Sequence, residues 1–536
     1  MRRVIEADIC IIGSGITAAM VAEQVAEERS ARILVVEAGD EPIPLGERAR
    51  WRQRYLDYGE NPWPRDHLDR HTADGPLQSR SMSVGGLAMH WGGVTPRFSP
   101  EDFRLRSLYG VGDDWPVSYE ELDPHYQEAE ERLGVAGEQG PPELDPRGKP
   151  FPMPPLPLTY NLELLKKWAG SAGFPMWSQP SAKNSVQYAG RSACCRSDTC
   201  TPVCPVGARY SPDFTWNALR RRGRATLLTR TLVRRLVPEA GSARISHAVA
   251  AGRDRPGEPI EIHARTFVIA AGYAWSPHLL LLSRSARYPN GLANGSGLVG
   301  KYMAGHRNVQ AFVQLPLTLY PGINEQHSLV TKKGMRPGKL DRYLRHDLRV
   351  WESSTGSRPR LRAAPGEVLL ADDLLRDWRE RAALGTARVR AYYDVLPHRE
   401  SALTLDPALK DEWGDPMPRL RFRDSDESAA LRAYSEEHLR ALFAEMARVG
   451  NGKVLRAASD DFQDHPAGGC RMGSDPAASV TDSYGRTHDH ENLFVVGAPT
   501  CVTASCANAT LTFCALSLRA ASRIGEGYAR RARAGD

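Results

Sequence analysis

Asp8-Ile9-Cys10-Ile11-Ile12-Gly13-Ser14-Gly15-Ile16-Thr17-Ala18, then a helical stretch from Ala19 to Glu28 and the run Arg32-Ile33-Leu34-Val35-Val36-Glu37, decides how this chain folds. Its opening residues are a short apolar run of the kind found in buried parallel strands. Gly13 permits a tight turn, Gly15 lets the backbone approach a pyrophosphate, and Ala18, in the third-glycine place, lets helix and strand pack closely. The helix N-terminus then presents free N–H groups to the phosphates. Glu37 stands 24 residues after Gly13, where a carboxylate accepts hydrogen bonds from ribose hydroxyls. Strand, turn, helix, strand and acid together predict an α/β fold built on a Rossmann-like dinucleotide-binding domain.

This unit serves NAD and FAD alike. A second glycine cluster, Ser83-Val84-Gly85-Gly86-Leu87-Ala88-Met89-His90-Trp91-Gly92-Gly93, favours a flavin, because such a loop lets backbone approach a planar ring system. Thr266-Phe267-Val268-Ile269-Ala270-Ala271-Gly272 agrees: it reads as a strand ending in small residues, followed by an apolar helix through Leu279 to Leu282.

Bulk properties narrow the class. The chain has 536 residues, enough for a large core and two or three domains. It is 41% hydrophobic and 25% charged, as soluble globular proteins are, and no apolar run approaches a membrane span. Its net charge of +6 is spread along the chain and does not argue for nucleic acid. Arg2-Arg3 does not read as a twin-arginine export signal, since a strand follows with no cleavable apolar region before it. The chain is therefore expected in the cytoplasm, or outside it after folded export alongside a signal-bearing partner.

Four of the nine cysteines, Cys194, Cys195, Cys200 and Cys204, crowd into eleven residues. Thiolates gathered so tightly hold a metal or an iron–sulfur cluster more readily than they form disulfides, because adjacent cysteines rarely bridge each other. Spacing does not separate three ligands from four, nor a cluster from a zinc site. Cys10, Cys470, Cys501, Cys506 and Cys514 lie in apolar or glycine-rich surroundings and read as buried thiols.

Further stretches complete a pattern: Ser107-Leu108-Tyr109-Gly110-Val111-Gly112-Asp113-Asp114-Trp115-Pro116, the proline-rich Pro150 to Leu158, Asp482-Ser483-Tyr484-Gly485-Arg486, Asn492 to Gly497, and Cys506-Ala507-Asn508-Ala509-Thr510-Leu511-Thr512. With these the chain resembles the glucose–methanol–choline (GMC) oxidoreductase family. Within it, the cysteine segment looks most like the catalytic large subunits of bacterial FAD-dependent sugar dehydrogenases. The resemblance implies an FAD-binding domain over 1–310 carrying an iron–sulfur segment at 190–210. It further implies a sheet-based substrate domain over 311–460 and a C-terminal return over 461–536. It implies that Cys194, Cys195 and Cys200 hold a 3Fe-4S cluster, with Cys204 outside the ligand set. Besides Gly13, Gly15, Ala18 and Glu37, it places Gly85, Gly86, His90, Val233, Ala271, Gly497 and Ala498 against FAD. At the place of His90 some members attach the flavin covalently and others do not.

Flavin oxidation of an alcohol carbon needs a base for the hydroxyl proton while hydride leaves for flavin N5, and a polar group to fix direction. By the resemblance His465, in Asp464-His465-Pro466-Ala467-Gly468-Gly469, is the base, and Asn508 its orienting partner. Imidazole suits that role, with an ordinary pKa of about 6.5. His67, His71 and His306 carry no motif and are expected in surface or core roles. The implied activity is oxidation of a sugar or glycoside hydroxyl, with electrons leaving through the cluster; an oxygen-reducing flavin oxidase is the alternative. The implied partners are a small subunit bearing the export signal, which would carry the chain to the periplasm, and a cytochrome c acceptor.

Overall fold

The structure is a computed structural model that describes residues 3–27, 31–63, 81–320, 327–353, 359–362, 367–460 and 464–534; His67 and His71 lie outside them. Two sheets organise the described residues. In the first, the strand Arg3–Ile12 runs parallel between Ile33–Val36 on one side and Arg255–Ile269 on the other. The strand Leu493–Val495 extends the parallel set beyond Arg255–Ile269, and Thr226–Leu228 extends it beyond Ile33–Val36. Thr231–Pro238 and Ile245–Gly252 add antiparallel strands.

Register is what makes a site here. Ile12 lies opposite both Val36 and Ile269, and Val495 lies opposite Ile269, so four parallel strands end at one level. The chain leaves the central strand to one side and later returns on the other, which opens a crevice beyond the strands' carboxyl ends. The helix after the turn covers Ile16–Val25 and packs against the C-terminal helix Thr510–Ala534. Seven of its ten residues are buried, Ala18 fully, which lets the two helices lie close.

The second sheet is antiparallel and gathers distant segments in the order Lys453–Ser459, Ala304–Leu315, Gly385–Asp394, Leu348–Ser353, Leu329–Thr331 and Trp177–Ser178. Asp464–Ala467 pairs with the other end of Ala304–Leu315. Successive side chains alternate between faces. Val309, Ala311, Val313 and Leu315 join Val389 and Ala391 against Leu439, Phe443 and Met446 of the helix Asp426–Val449. His306 and Asn308, and their neighbour Tyr392, therefore take the opposite face. The sheet draws on residues on both sides of positions 310 and 460, because strand pairing ignores sequence distance.

Candidate active site

Gly13 has φ +97°, and a Cβ there would lie 2.6 Å from Ala270 O, so the first turn needs glycine for packing as well as for conformation. At Gly15 a Cβ would meet nothing within 4 Å among the described residues, so the helix N-terminus is open to an approaching group. The second glycine cluster comes to the same place, since a Cβ on Gly86 would lie 3.6 Å from Gly15 Cα. Ala271 stands at the N-cap of the helix Gly272–Leu282, next to Gly13. A Cβ on Gly497 would lie 2.7 Å from the Thr17 side chain, which brings the C-terminal segment against the first helix. The Gly468 N–H donates to Ala498 O at 2.9 Å, tying the loop after His465 to that segment. Val233 is buried two residues beyond Thr231, whose N–H donates to Glu37 O.

Ser14 joins these parts. Its N–H and hydroxyl both donate to Glu37 Oε2, at 3.0 and 2.5 Å, while its Oγ accepts from the Gly85 N–H at 3.1 Å. The Trp216 indole donates to Ser14 O at 2.8 Å. The Gly39 N–H donates to Glu37 Oε1 at 2.8 Å. Burial pushes the Glu37 carboxyl up, and the Ser14 and Gly39 hydrogen bonds pull against that. The open helix end, the facing glycines and this acid fit FAD.

Arg209 was not singled out in the sequence, yet it links two of the motifs. It is buried, and its guanidinium donates to the carbonyls of Met89, Trp91 and Cys200. It thus fastens the second glycine loop to the cysteine run. Burial, and then the Arg209 charge, hold His90 down to about 4, so that imidazole is neutral at pH 7; its Nδ1 is buried without a hydrogen-bond partner among the described residues.

The thiols are distributed unevenly. Cys200 and Cys204 are buried, Cys194 is half-buried and Cys195 is exposed. Burial pushes the Cys194 thiol up, with Cys200, Cys204 and the Lys183 charge all near enough to act on it. Among the described residues no three His, Cys, Asp or Glu side chains are gathered closely enough to hold a metal ion. As folded, Cys194, Cys195 and Cys200 do not form a closed donor set. Cys10, Cys470, Cys501, Cys506 and Cys514 are buried thiols, as their surroundings suggested.

The two expected catalytic side chains meet. Asn508 Nδ2 lies 2.8 Å from His465 Nε2. Asn508 is itself buried, and its Oδ1 has no hydrogen-bond partner among the described residues. His465 has φ +47°, a left-handed backbone that a non-glycine residue adopts at a cost of about 1–2 kcal/mol. On the other side of its ring, His465 Nδ1 lies 2.8 Å from Nε2 of His306, whose Nδ1 lies 3.0 Å from Ser505 O. His306 is fully buried and 159 residues away in the chain, with nothing local to mark it.

Residues 397–517 match the C-terminal profile described as GMC oxidoreductase. The chain is 32% identical to the fructose dehydrogenase large subunit of Gluconobacter japonicus over 97% of this chain and 98% of that one. It is therefore a member of the GMC oxidoreductases, an FAD-dependent oxidoreductase acting on CH–OH donors. Within the family it resembles the catalytic large subunits of the sugar dehydrogenases. It is also 29% identical to 2-methyl-1,2-propanediol dehydrogenase of Mycolicibacterium austroafricanum, over 83% of this chain and 81% of that one. The solved pyridoxine 4-oxidase from Mesorbium loti shares the fold: the TM-score is 0.63 at 19% identity, covering 96% of this chain and 99% of that one.

Proposed function

We propose that this protein is a dehydrogenase for a hydroxyl of a sugar or glycoside. The observation that carries the reading is the His465–Asn508 pair, 2.8 Å apart and tied through Gly468 and Ala498 to the segment closing the glycine cradle. The Asn508 amide N–H points at His465 Nε2, so that nitrogen carries a lone pair. A substrate hydroxyl entering between them gives its proton to Nε2, and Asn508 Nδ2–H then steadies the alkoxide oxygen as it develops. Asn508 does not exchange a proton at neutral pH; its part is to orient and to stabilise. FAD, when bound, accepts the hydride from the same carbon. Likeness to a fructose dehydrogenase large subunit supports a sugar over other alcohols.

The reading extends to electron exit: Cys194, Cys195 and Cys200, drawn together on assembly, would hold a 3Fe-4S cluster, which would supply one-electron transfer to an outside acceptor. Its support is the density of thiols together with buried Lys183, Arg191 and Arg209 around them, cations that favour an anionic group. A small subunit, a cytochrome c acceptor and residence in the periplasm by co-export, with the cytoplasm as alternative, belong to the same proposal. Among the described residues no helix is long and apolar enough to cross a membrane. The test is a panel of aldoses, ketoses, glycosides and simple diols, assayed anaerobically with an artificial dye. Turnover of a sugar with little oxygen uptake is the expected result. Turnover of diols alone ends the sugar assignment, and rapid oxygen consumption without dye makes the protein an oxidase. Purified protein should contain iron and acid-labile sulfide near three and four per chain; zinc without sulfide ends the cluster assignment.

A further inference from the structure

We infer that His306 is a positioning residue that fixes the tautomer of His465. The inference rests on His465 being the base. With His306 neutral, the three bonds Ser505–His306, His306–His465 and His465–Asn508 fit one proton arrangement. Ser505 O is a carbonyl and only accepts, so His306 carries its proton on Nδ1, 3.0 Å away. In the neutral ring Nε2 is then bare, and across 2.8 Å it accepts a proton from His465 Nδ1–H. That leaves His465 Nε2 bare, facing the Asn508 amide N–H at 2.8 Å. Reversing the chain would set His465 Nε2–H against the amide N–H, donor against donor. One backbone carbonyl thus sets two imidazoles, and aims the lone pair at the position where a hydroxyl must be deprotonated.

Three further observations belong to the same device. The Tyr392 ring lies against both imidazoles, its centroid 4.1 Å from that of His306 and 5.9 Å from that of His465, which holds their planes. Both ends of the relay have left-handed backbones on non-glycine residues, His465 with φ +47° and Ser505 with φ +57°. Such strain persists where surrounding contacts over-determine the conformation, and here it aims a ring at one end and a carbonyl at the other. Finally, the bond that His306 accepts steadies the positive charge on His465 once it has taken the substrate proton. A neutral imidazole does this more weakly than a carboxylate would.

The test is a double-mutant cycle on FAD-loaded enzyme, read by stopped-flow flavin reduction, beside imidazole 15N spectra of histidine-labelled protein. His306→Leu should slow flavin reduction by about 10- to 100-fold, as expected when a base loses its tautomer. In a His465→Ala background the same change should cost less than about twofold, since its effect runs through His465. His306→Gln, whose amide both donates and accepts, should recover most of the loss. The spectra should show His465 as the Nδ1–H tautomer in wild type and as a mixture in His306→Leu. Equal fractional losses in both backgrounds, or an Nε2–H tautomer in wild type, overturn the inference. If the leucine variant fails to load flavin, His306→Phe, which keeps the packing on Tyr392, takes its place with the same expectations. Wild-type flavin reduction in His465→Ala alone would instead sink the reading of His465 as base.

Discussion

The base and its partner differ in what each offers a substrate, and that difference is measurable. In the proposed mechanism His465 takes the proton and Asn508 offers one oriented N–H, while its buried Oδ1 has no hydrogen-bond partner among the described residues. His465→Ala should leave FAD bound and lower flavin reduction by sugar by roughly 10²-fold or more. Asn508→Ala should act on the same step and cost less, about tenfold, because the proton acceptor survives. Stopped-flow bleaching of the flavin at wild-type speed in the His465 variant would refute the assignment. Both residues were expected from the family resemblance of the runs Asp464 to Gly469 and Cys506 to Thr512, since neither run alone marks a catalytic side chain, and the structure sets the two side by side. His306 was not legible. Its importance arises from pairing of Ala304–Leu315 with Asp464–Ala467, and no spacing within either segment encodes that pairing.

Elements show the same division. The first strand, turn and helix follow local rules, so their order was readable, although the strand begins at Arg3 and the helix already at Ile16. The second sheet is assembled from segments between Trp177 and Ala467, and only its membership in some sheet could be expected. The glycine turn offers a test that separates fold from cofactor. A Cβ at Gly13 would collide with Ala270 O in a left-handed backbone, so Gly13→Ala should destabilise the apoprotein by about 2 kcal/mol or more. At Gly15 the described residues offer no obstacle within 4 Å, and φ is −64°, open to any residue. Gly15→Val should therefore leave the apoprotein melting point nearly unchanged while weakening FAD binding at least about tenfold, because the branched side chain fills the space meant for pyrophosphate. Flavin titration of both apoproteins beside thermal melts checks the pair. Equal losses of stability would show that Gly15 serves packing alone.

Across the described residues the two sheets divide the labour: the mixed, mainly parallel one presents the glycine cradle, and the antiparallel one brings His306 and Tyr392 up behind His465. The cysteine run stands apart from both, fastened through Arg209 to the second glycine loop. If it is the electron outlet, Cys200→Ser should remove the iron–sulfur signal in electron paramagnetic resonance. Flavin bleaching by sugar should stay near wild-type speed and reduction of a haem partner should collapse; parallel loss of both steps would refute a separate outlet. The same region adds to the acid sensitivity of the fold. Burial, and then nearby cations, hold His90 down to about 4 and His327 down to about 3. An unfolded chain binds these protons near pH 6.5, whereas the folded protein binds them only well below that. Above pH 6.5 both rings are neutral in both states, and the slope is flat. Below it the unfolded state binds more protons, so stability falls as pH falls, through about pH 4 for His90 and about pH 3 for His327. Each full transition is worth a few kcal/mol, at about 1.4 kcal/mol per pH unit of displacement. Thermal melts between pH 7.5 and about 4 should show the decline, and it should be shallower in His90→Gln and in His327→Gln. The shallower slope is expected because glutamine has no proton to bind in either state; variant curves running parallel to wild type would mean that other groups carry the acid sensitivity.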